Sequence, residues 1–148
     1  MKTTGASPEI QTLLGLLSEE YPSSIHGEEK LLNFIPRQAG LRVRHDEKQI
    51  TIEYASLREA ARGIGMALAG IDTEEYPLFD SLGIMIDCSR NAVIKVGHFK
   101  QWLRRLALLG YNTAMIYTED TFQVPEEKIF GYQRGAYTLE ELREIDDY

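Results

Sequence analysis

The chain has 148 residues, enough for one compact core or for one small core joined to part of another. Its net charge of -7 is spread over mixed acidic and basic residues, so no basic patch indicates binding to nucleic acid or to an anionic membrane surface. The single cysteine, Cys88, excludes an internal disulfide, and with three histidines no metal-ligand spacing can be drawn, so we expect no metal and no other cofactor.

The first elements predicted along the chain are a helix and a short strand. Ser7 followed by Pro8 is typical of a helix start, and apolar residues recur at helical spacing as far as about Glu20. The apolar run at 31–35 stops at Pro36 and is predicted to be a short edge strand. No signal-type apolar run begins the chain, and no stretch approaches the roughly 20 apolar residues of a membrane span, which favours a cytoplasmic location.

A hairpin and a second helix are predicted next. Residues 41–45 and 49–54 alternate apolar with polar side chains, the pattern of paired strands with one buried face. Ser56 with Glu59 three residues later is typical of a capping box that starts a helix, and Gly70 is placed to end it. Together these elements predict a small α+β domain over residues 1–79, closed by an acidic connector at 72–77.

Residues 80–148 are predicted to form a second region with a βαβα order. The runs at 82–87 and 113–117 are nearly continuous in apolar residues, as in parallel strands that are covered on both faces. A helix is predicted between them from Asn91 to Gly110, and a capping box at Thr138 predicts another that continues to Tyr148. Because such a piece leaves an open parallel edge, we expect either a truncated domain or self-association there.

Charged residues follow both predicted parallel strands. Asp87 and Arg90 lie at the end of the first, and Glu119 and Asp120 at the end of the second. Ligand sites of βα folds lie at the carboxyl ends of the strands, although each charged residue could instead be a cap, an ion-pair partner or a solvated side chain. Two consecutive strands with charged ends, followed by a long loop, favour a ligand site.

At these residues the chain resembles family 20 of the glycoside hydrolases, the β-N-acetylhexosaminidases. Residues 83–91 resemble the first barrel strand of that family, residues 109–120 resemble its second strand, and residues 130–137 resemble the following loop in one bacterial branch. The first 80 residues match in layout. The resemblance implies an α+β leading domain followed by the first βαβα portion of a truncated (β/α)8 barrel.

The resemblance also implies roles for individual residues. Arg90 matches a strand-end arginine that holds hydroxyls of the non-reducing sugar, and Asp120 matches an acid near that sugar, with Glu119 beside it. Arg134, between two glycines, could reach a leaving-group sugar or hold its loop in place. Two loop tyrosines could stack on a sugar or pack within the loop: Tyr132 and Tyr137.

The catalytic residues of the family do not fall on this chain. Family 20 enzymes use the acetamido group of the substrate in retaining hydrolysis, helped by an Asp-Glu pair after the fourth strand. Glu119 and Asp120 are adjacent acids but match the second strand, so we predict that they bind substrate and do no chemistry. The better-known members have His and Trp in the second strand, where this chain has the residues Met115, Ile116 and Tyr117.

The expected parent activity is removal of terminal N-acetylhexosamine residues from an amino-sugar glycoside, with this chain inactive by itself. An alternative from a different class is a non-catalytic carbohydrate-binding or self-associating module, in which a second copy covers the open strand edge as a homo-oligomer. A third is an enzyme of a related barrel family with a similar leading domain.

Overall fold

The computed structural model describes residues 2–22, 30–132 and 135–148. Contacts divide the chain into two compact units, one of Met1–Leu82 with Arg104–Asn112 and one of Gly83–Leu103 with Thr113–Tyr148. The described strands and helices before Gly83 are β1 (Lys2–Thr4), α1 (Pro8–Ser18), β2 (Leu31–Pro36), β3 (Leu41–His45), β4 (Gln49–Tyr54), α2 (Leu57–Ala69) and β5 (Thr73–Glu75). The remaining ones are β6 (Gly83–Asp87), α3 (Val96–Leu108), β7 (Thr113–Tyr117) and α4 (Leu139–Asp146).

The sheet of the first unit has the strand order β1-β2-β4-β3-β5. The predicted hairpin is confirmed, because β3 and β4 are antiparallel with Val43 opposite Ile52. The prediction that β2 is an edge strand is wrong: β2 is parallel to β1 on one side and to β4 on the other. The actual edges, β1 and β5, are three residues long and consist of Lys, Thr and Glu, so they show no apolar alternation from which to predict them.

Helices α1 and α2 bury their apolar residues against one face of this sheet. The Ser7 hydroxyl accepts a hydrogen bond from the Ile10 amide and starts α1, as predicted. At α2 the Ser56 hydroxyl accepts from the Glu59 amide, while the Glu59 carboxylate accepts from the amide of Ala55, one residue before the cap. The buried core is Ile10, Leu14, Leu17, Leu32, Phe34, Leu41, Val43, Ile50, Ile52, Ala60, Ile64, Ala67 and Leu108.

Paired charges on neighbouring strands project from the other face of the sheet. Arg42 lies in register between Glu53 of β4 and Glu74 of β5, with Nη···Oε distances of 3.2 and 3.0 Å. Opposite charges directly across strands stabilise a sheet by roughly 0.2–1 kcal/mol per pair. The first unit therefore has an apolar face under helices and a polar face suited to water.

In the second unit β6 and β7 pair in parallel, and only one of their faces is covered. Ile86 and Ile116 pack against a buried cluster that includes Phe99 of α3 and Ile145 of α4. On the opposite face Met85 and Met115 are 59% and 56% exposed. The expectation that both strands are covered on both faces is wrong for the described residues, because a continuous apolar run does not reveal which face the same chain covers.

The helices of the second unit differ from prediction at their ends. Residues 88–91 form a turn, and α3 begins at Val96 instead of Asn91. The predicted capping box of α4 is confirmed, with Thr138 and Glu141 exchanging side-chain and backbone hydrogen bonds, but the helix ends at Asp146 before Tyr148.

Two helical glycines provide a test of the first unit's packing. A Cβ at Gly63 would lie 2.5 Å from Ile52 Cγ2, whereas a Cβ at Gly15 would have no atom within 4 Å. We expect Gly63→Ala to lower the free energy of unfolding by about 1–2 kcal/mol through overpacking, and Gly15→Ala to raise it by about 0.5–1 kcal/mol through helix propensity. Urea unfolding of both variants checks this, and equal effects would contradict the packing of α2 on β4.

Candidate functional site

The candidate site lies within the second unit, at the carboxyl ends of β6 and β7. Asp87 and Tyr117 are paired in register as the last residues of the two strands, and the Cys88 amide donates to the Tyr117 carbonyl at 2.9 Å. Strand alternation places both side chains on the same face as Met85 and Met115. The site therefore adjoins the exposed face of the strand pair.

The Asp87 carboxylate is held by four hydrogen bonds. Its Oδ1 accepts from the Ser89 amide at 2.9 Å, the Ser89 hydroxyl at 2.8 Å and the Arg90 amide at 3.2 Å. Its Oδ2 accepts from Arg90 Nε at 2.7 Å. These bonds, led by the one from the Ser89 hydroxyl, lower the pKa of Asp87 to about 2, so the group is ionised at neutral pH.

Two contacts orient the Arg90 side chain, and its Nη groups are exposed. Its Nε binds Asp87, and its guanidinium carbon lies 5.7 Å from the centre of the Tyr117 ring. The side chain is 73% exposed, and no described residue accepts a hydrogen bond from its two Nη groups. A guanidinium held in this way can donate parallel hydrogen bonds to two oxygen atoms, such as vicinal hydroxyls.

Glu119 joins the cluster through Tyr117. The Tyr117 hydroxyl donates to Glu119 Oε1 at 2.8 Å, and this bond raises the pKa of Tyr117. Glu119 itself has a φ of 46°, in the left-handed region that residues other than glycine rarely occupy. The structure therefore connects Arg90 with Glu119 in one chain of contacts, which we name the strand-end cluster: Asp87, Arg90, Tyr117 and Glu119.

The other residues predicted for the site have different positions. Asp120 is exposed, and no described residue forms an ion pair or a hydrogen bond with its carboxylate. The acid that orients Arg90 is therefore Asp87, at the end of the first strand, and not Asp120, at the end of the second. Arg134 lies outside the described residues.

The loop after β7 is held by a buried tyrosine. The Tyr137 hydroxyl donates to the Ile94 carbonyl, and Tyr137 is 2% exposed, so its ring is part of the core and is closed to a ligand. Burial raises the pKa of Tyr137. Phe130 packs edge-on against Phe122 with ring centres 5.3 Å apart, while Tyr132 is 66% exposed.

A cavity of about 170 Å³ lies elsewhere, in the first unit. It is smaller than the roughly 300–1,000 Å³ of most small-molecule sites, and its arginines are engaged internally. Arg58 donates to the carbonyls of Phe79 and Asp80, and Arg62 forms two hydrogen bonds with Glu75. The strand-end cluster, whose arginine has unengaged donors, is the stronger candidate.

Among residues 2–22, 30–132 and 135–148 no group of three or more His, Cys, Asp or Glu side chains could hold a metal ion. In that same part of the chain no helix is both long enough and apolar enough to span a bilayer.

Comparison with known proteins identifies the fold. No family model and no curated protein matches the chain. An exo-β-N-acetylglucosaminidase of glycoside hydrolase family 20 from Vibrio harveyi, solved with N-acetylglucosamine, superposes on 99% of this chain with a TM-score of 0.68 and 18% identity. An inactive mutant of an exo-β-N-acetylglucosaminidase from the same organism and family superposes on 97% with a TM-score of 0.66 and 18% identity.

The chain resembles family 20 glycoside hydrolases in fold. The resemblance predicted from residues 83–91 and 109–120 is thereby confirmed at the level of the fold. This chain covers 30% of each of the two family 20 chains.

The sequence pointed to Arg90 and Glu119 but assigned no role to Asp87 and Tyr117, which connect them. Asp87 and Tyr117 could have been predicted from the sequence by their positions. Each is the last residue of an apolar run, and parallel strands place such residues side by side.

The pKa of Asp87 tests the hydrogen bonds of the strand-end cluster. We expect Ser89→Ala to raise the pKa from about 2 towards 3.8, because the Ser89 hydroxyl makes the largest contribution. Since the folded-state pKa is lowered, the stabilising contribution of Asp87 is present above pH 3.8 and is lost as the pH falls towards 2. Carbon-13 NMR of the carboxyl groups gives the midpoint, and a larger shift in the control Arg90→Gln would contradict the assignment.

Proposed function

We propose that this chain is part of a glycoside hydrolase and supplies binding contacts to the terminal N-acetylhexosamine of an amino-sugar glycoside. The observation that supports this most is the outward-facing pair of Nη groups on Arg90, at the carboxyl ends of adjacent parallel strands. In βα folds this is the edge at which ligands bind. The family 20 structures with the same fold are exo-β-N-acetylglucosaminidases, one of them solved with N-acetylglucosamine.

In this proposal each charged group has a part in holding the sugar. Arg90 donates to two neighbouring hydroxyls, and Asp87 holds the guanidinium through Nε so that it faces them. Asp120, exposed and unpaired within the described residues, accepts from a further hydroxyl, and Arg134 contacts the leaving-group sugar. A hydrogen bond to a charged group is worth about 1.5–3 kcal/mol, so these residues act through affinity.

The proposal extends to the barrel and to the reaction. We take β6-α3-β7-α4, in which β6 and β7 are parallel, as the first two repeats of a (β/α)8 barrel. Hydrolysis would be retaining, with the substrate's own acetamido oxygen attacking the anomeric carbon. The Asp-Glu pair that assists this reaction follows the fourth strand of such a barrel. We therefore assign no catalytic residue to this chain and expect it to be inactive by itself.

Hydrolysis of a chromogenic N-acetylglucosaminide tests the proposed function. The 148-residue chain is compared with the longest in-frame product of its gene, and we expect activity only in the longer protein. In that protein Arg90→Ala should raise KM by about 10- to 150-fold, the equivalent of one charged hydrogen bond.

Arg143→Ala serves as the control, because Arg143 is an exposed arginine on α4 and should leave KM unchanged. Activity in the short chain would place the reacting groups here, and an unchanged KM in Arg90→Ala would overturn the assignment of Arg90.

A self-associating module is the second candidate function. It is favoured by the exposed apolar face of β6 and β7, where Met85 and Met115 are more than half exposed. Exposed apolar surface on an open pair of strands is a typical site of association.

Light scattering after gel filtration separates the two candidates. A self-associating module is expected to be dimeric at micromolar concentration, and Met115→Lys should make it monomeric by placing a charge on the apolar face. Leu78→Lys is the matched control, since Leu78 is 90% exposed but lies in the first unit. A wild-type chain that is monomeric at about 100 μM would remove this candidate.

A further inference from the structure

We infer that Tyr117 and Glu119 are positioning residues that set the affinity of Arg90 for the hydroxyls of its ligand. This inference rests on the proposed function, in which Arg90 binds a sugar. It replaces the substrate-binding role that the sequence predicts for Glu119 with an indirect role, because the Glu119 carboxylate is engaged by the Tyr117 hydroxyl. It is carried by four features of the strand-end cluster.

The first feature is that Asp87 alone does not determine the plane of the guanidinium. Arg90 is 73% exposed and is bound to Asp87 through one side-chain hydrogen bond, from Nε. Exposed ion pairs of this kind contribute little, because a long side chain loses rotamer freedom to form them. A second contact is needed to hold the two Nη groups in one direction.

The Tyr117 ring supplies that second contact. Its centre lies 5.7 Å from the guanidinium carbon of Arg90, within the range of a cation–π interaction. At exposed sites such an interaction is worth about 0.5–1 kcal/mol, which corresponds to about a two- to fivefold change in affinity. The ring and Asp87 together restrict the guanidinium while its Nη groups remain accessible.

Glu119 in turn holds the ring. Its carboxylate accepts from the Tyr117 hydroxyl at 2.8 Å, which restricts the ring and draws electron density into it. A ring that is richer in electrons attracts a cation more strongly, so this bond strengthens the contact with Arg90.

The fourth feature is the backbone of Glu119. Its φ of 46° is strained in a residue other than glycine, and such strain persists where the surrounding contacts require it. A glycine would adopt this conformation without strain but could not bind the Tyr117 hydroxyl. A glutamate at this position therefore provides the contact with the Tyr117 hydroxyl, which the turn of the backbone does not itself require.

NMR of the 148-residue chain tests the positioning by itself, without any substrate. The Tyr117 ring should shift the side-chain proton resonances of Arg90 upfield. We expect Tyr117→Leu to abolish this shift and Glu119→Gln to reduce it. Glu126→Gln is the matched control, because Glu126 is also a glutamate with positive φ, 73°, and should leave the shift unchanged. An Arg90 resonance that is the same in all three variants would overturn the inference.

Kinetics of the longest in-frame product test the consequence for the ligand, with the chromogenic N-acetylglucosaminide as substrate. Tyr117→Leu and Glu119→Gln should each raise KM about two- to fivefold with kcat unchanged, as expected for lost uniform binding. Tyr117→Phe, which keeps the ring, should have the same effect as Glu119→Gln. The double variant Tyr117→Phe/Glu119→Gln should be no worse than either single one.

The outcomes separate the inference from the proposed function. If Arg90→Ala raises KM while the Tyr117 and Glu119 variants do not, the positioning role is overturned and the sugar-binding role of Arg90 stands. If Arg90→Ala leaves KM unchanged, the proposed function fails. The effect of the pair on ligand affinity fails with it, even where the NMR shift shows that Tyr117 contacts Arg90.

Discussion

The site depends on the carboxylate of Asp87, whose two oxygen atoms bind the backbone and a side chain at the end of β6. Its Oδ1 accepts the amides of Ser89 and Arg90 and so ends the strand in a turn, while its Oδ2 holds the guanidinium of Arg90. The Ser89 hydroxyl also binds Oδ1 and is the largest cause of the lowered pKa of Asp87. Asp87 thus fixes the backbone turn and holds Arg90 through Nε, and the Tyr117 ring at the end of the neighbouring strand provides the second contact to the guanidinium.

The two units differ in the sheet face that their helices do not cover. In the first unit one face is under α1 and α2, and the other has charges in register, with Arg42 between Glu53 and Glu74. In the second unit α3 and α4 cover one face of β6 and β7, but the other presents methionines to solvent. An uncovered apolar face is unfavourable in water, so this face is suited to further protein, and the strand-end cluster lies at its edge.

The likeness to family 20 glycoside hydrolases concerns the fold, and a fold can carry many functions. Because the identity is 18%, we infer sugar binding from the residues at the strand ends. At the strand ends the described residues provide the exposed donor groups of Arg90, the aromatic ring of Tyr117 beside them and the exposed carboxylate of Asp120. Hydrogen-bond donors and acceptors around an aromatic surface suit a polyhydroxylated ligand, whereas the described residues provide no metal-binding cluster.

Much of the fold follows from local signals in the sequence. Ser7, Ser56 and Thr138 begin helices because their hydroxyls accept amide hydrogen bonds within the same turn, and the hairpin at 41–54 follows from strict alternation. The expectation of charged groups together at two strand ends follows from the parallel order alone. These features involve neighbours within a few residues, so the sequence by itself was sufficient for them.

The tertiary structure decided the rest, because it depends on contacts between distant residues. Strand order is such a case: β2 lies inside the sheet since Lys2–Thr4 pairs with it, although that segment has no apolar pattern. The covered face of β6 and β7 is another, because an apolar run looks the same whichever side the helices occupy. The connection from Arg90 through Tyr117 to Glu119 appears only when the two strands are placed in register, which brings residues about thirty positions apart into contact.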